Sequence, residues 1–285
     1  MEVPVTRRTS PVLLRRQLGD ELRRHREAAG LKAADVARAL GVNPSVMSRL
    51  ENGQRRPILV YIGALCDHYH LGPAAAESLK NLARAAHEEG WWSKWNTPSD
   101  YVGFEAGATT IRNYELALVP GLLQTRAYAR ALLADVEPGL GRRELEEAVD
   151  FRMMRQRILF SEDPVTLHVV LGEAVLAARV GDAATSRDQL IHLRECAELP
   201  NVVLQILPVV ASAASALVGG FSILEFADDL ISDRVHAETT LGAVSESKTE
   251  DVNRCRTIFA HLSESAADEA ESLQLVDAAL RSRES

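Results

Sequence analysis

Residues 33–53 constrain this chain more than any other stretch, because two short apolar-locked segments are separated there by Gly41-Val42 alone. From Ala33 to Leu40, the residues Val36, Ala37 and Leu40 recur at helical spacing. Asn43 has the chemistry of a helix N-cap and Pro44 that of a first helical position, and Met47 and Leu50 would face inward from the helix they begin. Two such helices crossing at a tight turn need a small residue in the first, a glycine at the turn and apolar side chains locking both. Ala37, Gly41, Val42, Met47 and Leu50 supply that set, and Asn52-Gly53, a pair at ease in left-handed geometry, closes the second helix near Glu51.

The flanking sequence completes a small helical domain. Leu14, Leu18 and Leu22 define the apolar stripe of a helix over Leu13–Ala29 that stops at Gly30, with Arg15, Arg16, Arg23, Arg24 and Glu27 on other faces. After a basic loop, Gln54-Arg55-Arg56-Pro57, amphipathic helices are expected over Ile58–Tyr69 and Ala74–His87, bringing Ile62, Leu65, Cys66, Leu79 and Leu82 into a five-helix core. All three tryptophans, Trp91, Trp92 and Trp95, follow at the junction, where they are expected to pack a linker. The expected organisation is an N-terminal arm at 1–12, a helix-turn-helix domain at 13–90 and a second domain at 91–285.

At 285 residues the chain is long enough for two packed domains. The net charge of -8 argues at first against an anionic partner. That average conceals an asymmetry: residues 1–90 carry 14 Lys+Arg against 10 Asp+Glu, and residues 91–285 carry 18 against 30. The first domain is therefore locally basic. Cys66, Cys196 and Cys255 lack paired metal spacing and read as buried thiols. No signal-like apolar run opens the chain, and Val202–Gly220 reads as a strand and loop, not a membrane span, so a cytoplasmic protein is expected.

The ordered set Ala28-Ala29-Gly30-Leu31, Val36-Ala37, Leu40-Gly41-Val42 and Ser48-Arg49-Leu50-Glu51-Asn52-Gly53 resembles the helix-turn-helix family of Cro and the phage repressors, also called the xenobiotic-response-element (XRE) family, over residues 15–75. That resemblance implies a third helix entering the major groove of DNA. Carried over by position, Pro44, Ser45, Val46 and Arg49 would face base edges, while Lys32, Asn43, Asn52, Gln54, Arg55 and Arg56 would face phosphates. A guanidinium at Arg49 can reach guanine O6 and N7 together. The resemblance also implies that Arg26 and Glu51 pair across the domain as an architectural element. The family usually opens its second helix with Thr-Gln, and this chain has Lys32-Ala33 there, so one phosphate contact would pass to a point charge.

Beyond residue 91 the pattern becomes mixed α/β. Helices are expected over Tyr114–Leu133, Arg142–Phe160, Glu173–Arg179, Thr185–Ala197, Glu250–Leu262 and Asp268–Leu280, the last as a dimer or interdomain helix or as a cap on the core, and strands over Val165–Leu171, Val202–Leu207, Phe221–Phe226 and Arg234–Thr239. The fold class is thus multi-domain: an all-α helix-turn-helix domain followed by an α/β (α+β) regulatory domain. Gly90-Trp91-Trp92, the run Leu118 to Thr125, Tyr128-Ala129-Arg130, Arg152, Arg155-Gln156 and Gly172-Glu173-Ala174 resemble a C-terminal domain of unknown function found in actinobacterial antitoxin-like regulators. Such regulators are often encoded beside a small partner protein. Arg112, Gln124, Arg152, Arg155, Gln156 and Glu173 are the candidate effector or partner site, with a buried Arg–Glu network as the plainer reading.

No Walker-type loop, no Gly-x-Ser-x-Gly elbow and no histidine-rich metal motif is present, and no cofactor is expected. The expectation is a non-enzymatic, DNA-binding transcriptional regulator acting as a homodimer on two half-sites. An antitoxin-like interaction module with autoregulatory DNA binding, and an enzyme tethered to DNA, are the rival readings.

Overall fold

The computed structural model describes residues 10–95, 100–209, 219–227, 231–239 and 242–284. The N-terminal arm therefore lies outside the described residues up to residue 9, as does the loop expected before Gly220 over 210–218. Two compact units are present, Met1–Gly107 with Ala227–Ile231 and Ala108–Phe226 with Ser232–Ser285. Among the described residues no helix is long and apolar enough to cross a membrane, and no group of three or more His, Cys, Asp or Glu side chains could hold a metal ion.

The first unit is helical. Helix α1 (Pro11–Ala28) starts from Ser10, whose hydroxyl accepts from Leu13 N at 3.3 Å, and from a proline preset for the first turn. The others are α2 (Ala33–Ala39), α3 (Pro44–Glu51), α4 (Leu59–His68), α5 (Pro73–His87) and α6 (Asp100–Gly107), with a 3-10 turn at Trp91–Trp95. Leu18, Leu22, Val36, Ala37, Met47, Leu50, Ile62, Leu65 and Leu79 form one buried core. The expected apolar stripes of all five helices therefore converge, with each helix end within two residues of its expected place. Gly41 at the α2–α3 turn has φ +67° and Gly53 just past α3 has φ +65°, a region costly for residues with a Cβ.

Where the sequence suggests a boundary at Gly90, this unit continues to Gly107. Helix α6 lies against the start of α1: Ser10 Oγ donates to Gly103 O at 2.6 Å, and a Cβ on Gly103 or Gly107 would stand 2.2 Å from Val12 Cγ2 or Leu13 Cδ1. Trp92 is buried in the same contact, and its ring edge would meet a Cβ on Gly103 at 2.9 Å.

The second unit is a six-stranded mixed sheet in the order β3-β2-β1-β4-β5-β6. The strands are β1 (Thr110–Glu115), β2 (Thr166–Gly172), β3 (Val202–Leu207), β4 (Phe221–Glu225), β5 (Arg234–Thr239) and β6 (Gly242–Glu246). Strands β1, β2 and β3 run parallel, and β4, β5 and β6 continue antiparallel from β1. Helices α7 (Arg126–Val136) and α8 (Arg142–Arg155) connect β1 to β2, and α9 (Ala174–Ala177) and α10 (Ala183–Ala197) connect β2 to β3. Helix α11 (Thr249–Ser265) covers one face of the sheet, packing Phe259 and Leu262 against Tyr114, Val170, Phe221, Ile223 and Val235. Helix α12 (Glu269–Glu284) follows.

The helix expected over Tyr114–Leu133 is overturned. Tyr114 and Glu115 end β1, Pro120 has no N–H to give a helix, Gly121–Leu123 makes a single 3-10 turn, and α7 begins only after Thr125, which caps it through Tyr128 N at 3.2 Å. The helix expected over Arg142–Phe160 ends at Arg155 and tightens into a 3-10 turn at Gln156–Leu159, and that over Glu173–Arg179 shrinks to α9. Strand β6 had no expectation, because Gly242-Ala243-Val244-Ser245-Glu246 shows little alternation. Cys66 and Cys196 are buried and Cys255 half-buried; burial pushes all three thiols up, Cys196 to about 11.

Candidate nucleic-acid interface

Helix α3 is amphipathic in a way that settles its orientation. Met47 and Leu50 are buried, whereas Pro44, Ser45, Ser48 and Arg49 are exposed and Val46 is half-buried. Pro44, Ser45 and Arg49 therefore share an outward surface one turn long. Arg49 Nε donates to Ser45 O at 3.2 Å, so its side chain lies along that surface. Asn43 Oδ1 accepts from Ser45 N at 2.9 Å and is spent as the N-cap.

The opposite end of α3 is gripped by α1. Arg16 Nη1 donates to Asn52 O at 3.0 Å, and Arg23 Nη2 donates to Asn52 Oδ1 at 2.6 Å and to Glu51 O at 3.4 Å. These cations meet the carbonyl end of the helix, where its dipole is negative. Two glycines permit the approach: a Cβ on Gly19 would stand 2.5 Å from Glu51 O, and one on Gly53 2.8 Å from Arg16 Cα. Arg26 closes the clamp with Nε to Glu51 Oε1 at 2.7 Å and Nη2 to Oε2 at 2.9 Å, and Glu51 is only 3% exposed. This pair links helices, as the sequence resemblance implies for it. The grip by Arg16 and Arg23 has no local signal in the sequence.

The remaining residues expected at phosphates divide by environment. Lys32 is exposed at the start of α2 and makes no side-chain capping bond there, as expected where threonine is replaced. Gln54 is exposed and Arg55 half-buried. Arg56 is tied down within the protein: its Nε donates to His87 O, its Nη1 donates to Glu89 Oε1 at 2.8 Å, and His87 Nδ1 lies 2.9 Å from Pro57 O. The basic loop is thus fastened to the end of α5.

In the second unit, Gln124, Arg152 and Gln156 come together. Gln124 Nε2 donates to Val119 O at 2.7 Å, Arg152 Nη1 donates to Gln124 Oε1 at 3.0 Å, and Gln156 Nε2 donates to Gly121 O and Gln124 O at 2.9 and 2.7 Å. Arg155 passes the same turn, its Nη1 3.8 Å from where a Cβ on Gly121 would stand. These groups bind the loop after β1 to the end of α8. Arg112 does not join them. It lies on the α11 face of the sheet, where Nε meets Glu225 Oε2 at 3.3 Å and the guanidinium lies over Phe259. Residues two apart in a strand share a face, so Arg112 goes with Tyr114 and away from Asn113. Glu173 turns to the end of β3, accepting from Val209 N at 2.9 Å.

A polar row on the other face was not anticipated, since reading Tyr114 as helical hid the alternation of Asn113 and Glu115. Asn113, Ser222, His236 and Ser245 stand in register across β1, β4, β5 and β6. Asn113 Nδ2 donates to Ser222 Oγ at 3.0 Å and to Glu115 Oε1 at 3.2 Å. Burial outweighs that bond and pushes the Glu115 carboxyl up to about 7. Glu238, hydrogen-bonded to His236 and in the field of Arg155 and Arg152, is held below its ordinary value.

A sequence-family profile described as "Domain of unknown function (DUF5753)" matches residues 98–278, and one described as "Helix-turn-helix domain" matches residues 17–79. No curated protein and no solved structure matches the chain. The helix-turn-helix match covers the gripped α3 and its partners, and points to DNA binding in transcription regulation.

Proposed function

Since the chain belongs to the DUF5753 family and carries a helix-turn-helix domain ahead of that region, we propose that it is a cytoplasmic, sequence-specific transcriptional regulator of the Cro-like (XRE) kind. It binds a pseudo-palindromic operator as a homodimer, and its C-terminal domain receives a partner protein or effector. The observation that carries this reading is the exposed surface of α3, held from behind by Arg16, Arg23 and Arg26.

Pro44, Ser45, Val46 and Arg49 read base edges. Among the described residues, only Nε of Arg49 is engaged, which leaves its two Nη groups for a guanine. Lys32, Gln54 and Arg55 meet phosphates. Asn43, Asn52 and Arg56 act mainly by setting the backbone that does so, because their side chains are already bonded within the domain. One such domain contacts few bases, so useful specificity comes from two half-sites about one helical turn apart. Gln124, Arg152 and Gln156 fix the turn after β1, with Arg155 beside it, and a partner docking there would act on a pre-formed loop.

The test is an electrophoretic mobility shift on the DNA upstream of the protein's own coding sequence. Arg49→Ala is expected to cost about 1–3 kcal/mol of discrimination at one base pair while leaving the fold intact. Unchanged affinity and sequence preference in that variant overturns the assignment of α3 as the reading helix.

A further inference from the structure

A sheet has two edges, and this one treats them differently. The outer edge of β3 is closed by the approach to α12: Ile206 N donates to Ser272 Oγ at 2.8 Å, and Ala267 N donates to Ile206 O at 2.9 Å. Among the described residues nothing closes the opposite edge, β6. Gly242, Ala243, Val244 and Ser245 are all exposed, and among the described residues β6 pairs with β5 alone. In an antiparallel ladder alternate residues direct their N–H and C=O away from the neighbour, so β6 presents unpaired backbone groups along its free side.

Natural edges of this kind are blunted by lysine, proline, a bulge or an inward charge. The sequence Gly-Ala-Val-Ser-Glu contains none of these along its length, its one charge standing at the last residue. Instead an apolar row runs out to the edge. Tyr114 stands opposite Phe221 and Ala237 opposite Val244, and the β4–β5 register, with Ser222 opposite His236, lines the two pairs up on the face that α11 covers; Val244 is 53% exposed at the end of that row.

We propose that β6 is the dimer surface of this protein, pairing antiparallel with β6 of a second copy about a two-fold axis at Val244. The five-residue strand is self-complementary in that register. Val244 stands opposite Val244, Ala243 opposite Ser245, and Gly242 opposite Glu246, so no like charges meet and the apolar row continues from one sheet into the next. An isologous pairing closes at two copies, whereas head-to-tail use of one edge cannot close, because the β3 edge is already occupied. This surface deepens the homodimer reading given above and supplies the two-fold symmetry that paired half-sites require.

Sedimentation of the full chain without DNA tests it. The wild type is expected to be a dimer. Val244→Lys and Val244→Glu, each placing like charges across the axis, are expected to weaken that dimer at least tenfold while melting within a few degrees of the wild type. An equimolar mixture of the two variants is expected to regain the dimer, since the axis then brings Lys against Glu. A monomeric wild type, an unaltered dimer in either variant, or a mixture that stays monomeric overturns the proposal. Mobility shifts run in parallel separate this from the regulatory reading, because failure of the wild type to bind DNA overturns that reading whatever the sedimentation result.

Discussion

Replacing Arg26 by alanine isolates the energetics of the clamp behind α3. Glu51 is 3% exposed and receives two hydrogen bonds from Arg26, at 2.7 and 2.9 Å, while Arg23 reaches only 3.6 Å. Arg26 Nη1 also donates to Leu31 O at 2.9 Å, so the truncation orphans a carbonyl as well. Removing one partner of a buried ion pair costs about 3–5 kcal/mol, because the remaining charge is left in a poorly solvating site. The residual attraction of Arg23 places the expected loss near the lower end, at about 3 kcal/mol. Replacing both partners by apolar residues of similar volume, Arg26→Met with Glu51→Leu, removes the stranded charge and is expected to recover all but about 1 kcal/mol. The chain supplies its own reporter: all three tryptophans lie within 91–95, inside the first unit, and Trp92 is buried there. Urea unfolding followed by tryptophan fluorescence therefore reads the first unit even though the whole chain need not unfold in one step. A loss under 1 kcal/mol in Arg26→Ala refutes the reasoning, and so does a double variant as unstable as the single one.

Two further outcomes follow from close packing and from burial. Gly19→Ala should gain up to about 1 kcal/mol from helix propensity, yet its Cβ would stand 2.5 Å from Glu51 O and 2.8 Å from Leu50 O, backbone atoms that cannot turn aside. Overpacking of about 1–3 kcal/mol should win, so a lower melting temperature and weaker DNA binding are expected, and a raised melting temperature contradicts the contact. The Glu115 carboxyl titrates near 7 in the fold against an ordinary 4.5, so the folded state holds its proton more tightly. That stability is present in full below about pH 4.5 and is lost as pH rises through 7, on the order of 3 kcal/mol in all. Glu115→Gln should therefore be increasingly favoured over the wild type between pH 5 and 8 in thermal unfolding, and a stability difference that does not change with pH counts against the burial of that carboxyl.

The helix-turn-helix could be read from the sequence because its determinants are local. Caps at Asn43-Pro44, a left-handed Gly41 and stripes of period 3.6 each lie within a few residues of what they control. The grip of Arg16 and Arg23 on α3 could not, since it joins positions 28 to 36 residues apart, and apart from the Asn52 side chain its acceptors are carbonyl oxygens that every residue type offers. In the second unit the error at Tyr114 had a traceable consequence. With no strand expected over 110–115, the alternation that separates Arg112 from Asn113 goes unused, and Arg112 is grouped with Gln124 and Arg152 although it lies on the α11 face beside Glu225 and Phe259. Gln124, Arg152 and Gln156 meet at one turn, and nothing local in the sequence indicates that the two glutamine amides bond to the backbone of the turn after β1.

The tie between the ends of the first unit bears on how the protein can be dissected. Ser10 holds Gly103, and Val12 and Leu13 fill the space left by the glycines of α6. A fragment cut after Gly90 would keep every residue of the helix-turn-helix and still bare the first apolar turn of α1, the helix whose arginines steady α3. For an engineer joining this helical unit to a different partner, the continuous stretch to carry over therefore runs through Gly107; a joint made earlier should yield a sticky, loosened unit even though no residue of the helix-turn-helix has been touched.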